Sequence, residues 1–383
     1  MAETSPQRAY RAACPGCGAP VEFRSAQSTH AVCGYCQSTV VRHGEVLQRL
    51  GKMAELFDDH SLLQLGAAGR FEDRPFMLVG RLQYRYGQGT WTEWWALFDD
   101  GATASLSEDN GAYVLSFPRE PGQPLPEAAQ FRPGASVTID GQRWAVASNE
   151  SVALIAAQGE LPHLPPLGQS FAVVELRSQS GSDERVLSLD YGSTPPSVSL
   201  GQPVTLDALA MTGLKAESAR EEKGRQFACP HCGAPVQVQL EATRSITCGA
   251  CNSLIDLSGG LGGELAHAVQ DEPVRPLIAL GSVGQLQGAP WQVVGFQHRV
   301  GTEPDDPDEQ FGWDEYLLYN ARQGFAFLVD AEDGWSWVRP ITGAPEPRGG
   351  GVRWRGELYR ETERYASRTT YVLGEFYWKL ASG

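Results

Sequence analysis

Eight cysteines are the residues of this chain best placed to do chemistry. Cys14, Cys17, Cys33 and Cys36 form one quartet, and Cys229, Cys232, Cys248 and Cys251 form a second at an offset of 215 residues. Both read C-x2-C-x15-C-x2-C, and both open with C-P-x-C-G-A-P-V. Two short knuckles that each deliver two thiolates to one point are what a tetrahedral zinc ion needs. Four sulfurs close the coordination sphere and leave no position for water or substrate. The expected cofactor is therefore structural zinc, two ions per chain, with iron in a rubredoxin-like site as the alternative metal. A segment of about 25 residues buries too little apolar surface to fold unaided, which gives the metal its role. Gly18, Gly233, Gly34 and Gly249 are expected to let backbone N–H groups turn toward sulfur.

Beyond the cysteines the chemistry thins out. There is no G-x-S-x-G, H-E-x-x-H or P-loop, so no catalytic residue and no organic-cofactor site is assigned. The seven histidines (30, 43, 60, 163, 231, 267 and 298) are scattered, and His30 and His231 would bind metal only by displacing a cysteine. Glu160 and Glu375 recur behind Gly159 and Gly374, a pattern whose plain reading is a turn at a strand end. Trp91, Trp94, Trp95 and Phe98, with Trp313, Tyr316 and Tyr319, read as the packing core of a β domain rather than a ligand groove. The acidic run over 303–309 lacks the glycine and spacing of a calcium loop and reads as a solvated insertion. Asp190 to Pro196 reads as a proline-rich turn.

The elements that carry these groups repeat as well. Leu65-Gly66, Gly69, Pro75 and Gly80 match Leu280-Gly281, Gly284, Pro290 and Gly295 at the cysteine offset. After the insertion the offset becomes about 221 or 222, which sets Thr92 to Phe98 against Trp313 to Tyr319. The chain is thus mainly β: a tandem duplication of a small four-cysteine zinc ribbon followed by a β-sandwich or small-barrel domain. Short branched and aromatic runs bounded by Gly and Pro supply the strands. The expected boundaries are a first ribbon over 1–44, a linker helix over 45–63, a β domain over 64–213, a linker and second ribbon over 214–257, and a second β domain over 258–383. Val46, Leu47, Leu50, Met53, Leu56 and Phe57 give the linker its helical spacing. A second charged helix is expected over 206–225, and a flexible glycine joint over 258–263. The first copy runs some 45 residues past the point that matches the chain's last residue. The second β domain is therefore expected to be incomplete, because Phe376-Tyr377-Trp378 would leave strands without neighbours.

Composition narrows the partners. With 46 acidic against 31 basic residues the formal charge is −15, which repels phosphate backbones. The first ribbon segment, 1–50, carries five Arg against three Glu, and 215–260 balances five basic with five acidic residues. Neither is a basic stripe, so no nucleic acid is expected. No apolar run reaches the roughly 18 residues needed to span a bilayer, and the first eleven residues lack a signal-peptide core. Paired-knuckle cysteines without an export signal point to the cytoplasm.

The run Leu63 to Gly69, the strand ending at Gly80, Tyr316 to Asn320 with Gly324-Phe325, and the later Asp190-Tyr191 and Gly374 to Trp378 resemble a bacterial family known as domain of unknown function number 4178. The resemblance covers both β domains, with Trp94 set against Glu315 as a departure. It implies a role in a membrane-associated stress system and carries over no catalytic residue. The expected function is a non-enzymatic zinc-binding scaffold or adaptor with a protein partner, peripheral membrane association being left open. The alternatives are an enzyme or small-ligand binder using a groove in the β domains, and a nucleic-acid-binding ribbon protein.

Overall fold

In the computed structural model, residues 10–380 are described except 26, 44–45, 54–60, 88, 110–111, 180–183, 216–224, 241–242, 258–266, 271–273, 303–307 and 341–343. The chain divides into two compact units. The first is Met1–Lys215 with Thr342–Glu346 and Arg353–Glu357, and the second is the remainder. The described residues are strands and turns with no α-helix, as the alternating and branched segments predict.

In the first unit, eight antiparallel strands close into a ring. The order is Arg74–Tyr86, Gly89–Phe98, Thr103–Asp109, Ala112–Pro118, Ser197–Val204, Val186–Asp190, Ser170–Ser178 and Gln142–Leu161, and the last pairs back onto the first. Of the two expected alternatives, sandwich or small barrel, the first unit is the barrel. Closure depends on the 20-residue strand Gln142–Leu161. Its first half pairs with Ser170–Ser178 and its second half with Arg74–Tyr86. Closing the ring removes the edges that would otherwise template aggregation.

Facing positions sort the side chains. One face of the ring carries two separate apolar clusters. Trp94, Ala96, Phe98, Leu106 and Leu115 pack against Leu62, Leu63, Leu206 and Leu209, which lie outside the ring. Trp144, Val146, Leu176 and Leu189 pack against Phe131, likewise outside it. That face is therefore the outer one. The inner face carries Tyr84, Trp91, Glu93, Trp95, Phe171, Asp190 and several serines. Tyr84 and Phe171 meet across the intervening strand Gln142–Leu161 with ring centroids 6.2 Å apart.

The first ribbon joins the barrel through strand His30–Val32, which pairs with Gly159–Leu161 and continues through Ser38–His43 to Val46–Lys52. Met53 then packs on Trp95 and Leu161, closing that end of the barrel. The expected linker helix over 45–63 is a strand across Val46–Lys52. The free edge of Ser38–His43 offers a ladder of backbone partners, and tertiary pairing overrides the helical spacing. Residues 54–60, including Leu56 and Phe57, lie outside the described residues. Leu206 to Lys215 forms turns rather than a helix, and 216–224 lies outside the described residues. So do the glycine joint over 258–263 and most of the acidic insertion.

The second unit repeats the plan in part. Strands Ser245–Thr247 and Leu254–Asp256 pair as in the first ribbon, and Ser245–Thr247 joins Ala366–Phe376. The sheet continues through Ala289–Thr302, Gln310–Asn320 and Gly324–Ala331 to Gly334–Val338. Among the described residues Gly334–Val338 pairs on one side only, so this sheet is open where the first is closed.

Candidate metal centres and the inner face of the β units

Each ribbon is a pair of knuckles facing one another. The hairpin Tyr10–Ala13 with Pro20–Phe23 holds the first knuckle, and the turn between His30–Val32 and Ser38–His43 holds the second. Cys14 N–H donates to Ala19 O at 2.7 Å and Gly18 N–H to Cys14 O at 2.8 Å, which curls the chain around the sulfur. Cys229 and Gly233 repeat both bonds, at 2.8 and 2.9 Å. The position after the second cysteine of each knuckle is left-handed: φ is +78° at Gly18, 56° at Gln37, +76° at Gly233 and 56° at Asn252. Gly34 and Gly249, expected to share this role, do not adopt a positive φ; Gln37 and Asn252 take the place instead.

The four sulfurs of each quartet lie within 4.8 Å of one another. Cys14 and Cys36 Sγ are 3.7 Å apart and Cys17 and Cys33 Sγ 3.8 Å; Cys229 and Cys251 are 3.8 Å apart and Cys232 and Cys248 3.7 Å. Tetrahedral zinc with bonds near 2.3 Å separates its sulfurs by about 3.8 Å, so both quartets are close enough to hold a metal ion and fit zinc. Gly16 N–H lies 3.3 Å from Cys14 Sγ. The Ser38 hydroxyl, 3.2 Å from Cys36 Sγ, and then the Ser38 backbone N–H pull that thiol down to about 6. At Cys251 the Ser253 hydroxyl and then the His231 side chain pull it down to about 5. His231 is thus a donor to sulfur, outside the four-sulfur set. His30 sits in the strand beside the barrel, with Nδ1 2.8 Å from Thr29 Oγ1. Burial, then His163 and His43, lower its pKa, so three histidines scattered in sequence come near one another.

Glu160 and Glu375 are not at turns. Each lies in a long strand directly after a glycine with φ of +75° (Gly159) or +85° (Gly374). There the strand crosses a second glycine. A Cβ on Gly80 would meet Glu160 O at 2.0 Å, and one on Gly159 would meet Val79 O at 2.3 Å. In the second unit the corresponding distances are 2.7 Å from Gly295 to Glu375 O and 2.3 Å from Gly374 to Val294 O. This close approach turns the glutamate into the ribbon. Glu160 Oε2 accepts from Arg24 N at 2.7 Å and Ser25 N at 3.2 Å. Glu375 accepts from Gln239 N at 2.8 Å, Leu240 N at 2.9 Å and Thr243 Oγ1 at 2.6 Å. Burial raises the Glu160 carboxyl above its ordinary value, while the Ser25 and Arg24 N–H groups pull it back. A cleft of about 270 Å³ beside Glu160 is lined by Cys33, Leu65 and Gly159, but its carboxylate is already committed to backbone donors.

Sequence reasoning missed the inner face. Strand register pairs Gly80 with Trp95 and Gly295 with Leu317, which fixes the later offset at 222. Glu93 therefore corresponds to Glu315, Trp91 to Trp313 and Trp94 to Tyr316, correcting the alignment of Trp94 with Glu315. The aromatic group splits accordingly. Trp94, Phe98 and Tyr316 are buried core, whereas Trp91, Trp95 and Trp313 lie half-buried on the inner face. In both copies the tryptophan indole donates to the glutamate two residues on, at 3.5 Å from Trp91 to Glu93 and 2.6 Å from Trp313 to Glu315. Burial, then the charge of Asp190, raise Glu93 to about 7, against a smaller lowering by Trp91. Burial likewise raises Asp190.

No curated protein and no solved structure matches this chain. A family model described as domain of unknown function (DUF4178) matches residues 64–206 and 279–383, which takes in the barrel and the second sheet and leaves both ribbons outside. That is more than half of the chain, and the chain belongs to the DUF4178 family.

Proposed function

We propose that the protein is a zinc-folded scaffold, with Cys14, Cys17, Cys33 and Cys36 on one ion and Cys229, Cys232, Cys248 and Cys251 on another. The observation that carries this reading is the pairing of a closed four-sulfur set with a glutamate clamp in both copies. A sphere filled by thiolates offers no site for substrate, so the metal acts by folding the ribbon and the clamp transmits that order to the sheet. The partner surface is a protein-binding one. Strand Gly334–Val338, paired on one side only among the described residues, exposes Trp335 and Val338, at 49% and 45%, as an edge to which a partner strand can add.

Metal analysis of the purified intact protein is expected to give two zinc per chain, falling to one in Cys17→Ser and one in Cys232→Ser. Affinity purification of wild type beside Trp335→Arg is expected to lose a specific protein partner in the variant alone. Stoichiometric iron, or a zinc that exchanges a water for substrate analogues, would overturn the scaffold reading.

A further inference from the structure

The inner faces of the two copies differ at two positions beside the glutamate: Arg299 and Gln297 in the second unit stand where Tyr84 and Leu82 stand in the first. In the second unit Trp313 and Glu315 hold a cation of the chain's own. The Arg299 guanidinium carbon lies 5.5 Å from the Trp313 ring centroid, and its Nη1 is 3.7 Å from Glu315 Oε1. Gln297 Nε2 and Trp313 Nε1 donate to the same carboxylate. In the first unit the equivalent Trp91 and Glu93 are present, but Tyr84 stands where Arg299 does and stacks on Trp91 at 5.2 Å. Among the described residues no cation lies against Glu93; its donor is the Trp91 indole. Asp190, on the strand across the ring, is bonded to Gly192 N–H at 2.6 Å. Arg177, farther along the inner face, is paired with Glu175 at 2.8 Å.

We propose that the interior of the first barrel binds an alkylguanidinium or similar organic cation, its charge on Glu93 and facing Asp190, its apolar stem against Tyr84, Trp91 and Phe171. The second copy shows what a Trp-x-Glu pair at this place on the strand recognises, because it is satisfied there by a guanidinium. The first copy keeps the recognising pair and lacks the guanidinium. Two acidic groups in one interior are costly to ionise together, and an arriving cation relieves both at once. Carboxylate and indole act together on such a cation: a charge-assisted hydrogen bond on one side and the ring face on the other, both strengthened away from bulk water. Phe171 and Val173, packed with Tyr84, Val152 and Leu154, give the stem an apolar wall. The site does not depend on the scaffold reading, since none of these residues touches a cysteine.

The test uses the zinc-loaded full chain and two probes of nearly equal shape, n-butylguanidinium and neutral n-butylurea, followed by ligand-observed NMR titration. The guanidinium is expected to saturate at one per chain, and the urea not to bind. Glu93→Gln keeps the shape and removes the charge, and is expected to weaken binding about tenfold or more. Tyr84→Arg supplies the cation that Arg299 supplies in the second copy, and is expected to abolish binding while the fold is retained. Glu315→Gln is expected to leave it unchanged. Absence of guanidinium binding to wild type, equal binding of the urea, or undiminished binding in either first-unit variant overturns the proposal. None of these outcomes changes the two-zinc stoichiometry, so this proposal and the scaffold reading fail separately.

Discussion

Replacing Glu375 by alanine tests whether the clamp couples the second ribbon to its sheet. The carboxylate is 6% exposed and accepts three hydrogen bonds, from Gln239 N, Leu240 N and Thr243 Oγ1. Gln239 is exposed and its N–H can turn to water, but Leu240 is half-buried and Thr243 buried. Two donors are therefore orphaned at about 1–3 kcal/mol each, a loss of about 4 kcal/mol before relaxation. On the zinc-scaffold reading, in which the ribbon folds with its metal, this loss falls on the metal-bound state and is expected as weaker zinc affinity. At 1.36 kcal/mol per tenfold, a loss of about 4 kcal/mol corresponds to about a thousandfold at the second site. Chelator competition that resolves the two sites is the assay, with the Cys14 quartet as the internal reference. Glu375→Gln, which keeps one acceptor oxygen, is expected to fall between. If Glu375→Ala leaves both affinities within about threefold and the denaturant midpoint unmoved, the clamp carries no coupling and the reasoning fails.

Three further outcomes follow from the same geometry. Glu93 holds its proton up to about 7 in the folded state against an ordinary 4.5. Its contribution to stability is thus fully present below about 4.5 and lost as pH rises through about 7. Glu93→Gln, which cannot ionise, is expected to gain on wild type by up to about 3 kcal/mol between pH 5 and 8, read from urea midpoints; a pH-independent difference would refute the burial argument. Gly80→Ala drives a Cβ onto Glu160 O and is expected to cost about 3 kcal/mol or more, whereas Gly34→Ala, with open space around it, is expected to cost under about 1 kcal/mol, measured by thermal unfolding. Removing zinc with a chelator is expected to abolish ordered amide signals of Cys14–Cys36 and Cys229–Cys251 while strands such as Gly89–Phe98 stay protected in hydrogen exchange.

The gathering of each cysteine quartet was legible, since knuckle spacing is local and each cysteine pair sits within four residues. The recurrence of Gly159-Glu160 was visible too, but its meaning was not. The partners of Glu160 are backbone N–H groups 135 and 136 residues away, and backbone donors leave no mark in a sequence. Barrel closure was hidden for a similar reason, because one strand pairs with different neighbours along its two halves. The inner-face glutamates were lost to a slip of one residue. The insertion changes the offset between the copies, and the sequence alone does not separate 221 from 222; the strand register does. A slip of one exchanges the two faces of a strand and sets Trp94 against Glu315 in place of Glu93.

The two copies agree where packing leaves no choice and differ where it does. At the crossing, a side chain on Gly80 or Gly295 would enter the partner backbone, and the glutamate that follows Gly159 or Gly374 must satisfy buried donors of the ribbon. Substitution there costs stability directly, so the crossing, the clamp and the cysteines form one unit that persists or fails together. The inner face is under no such restraint. Tyr84 and Arg299 occupy one register position and lie against equivalent tryptophans, yet only Arg299 brings a cation to the neighbouring glutamate. At that position the second copy places a cation beside its glutamate and the first an aromatic ring, within the same ladder. The duplication thus separates what the fold requires from what a ligand would require, and Tyr84→Arg tests the second.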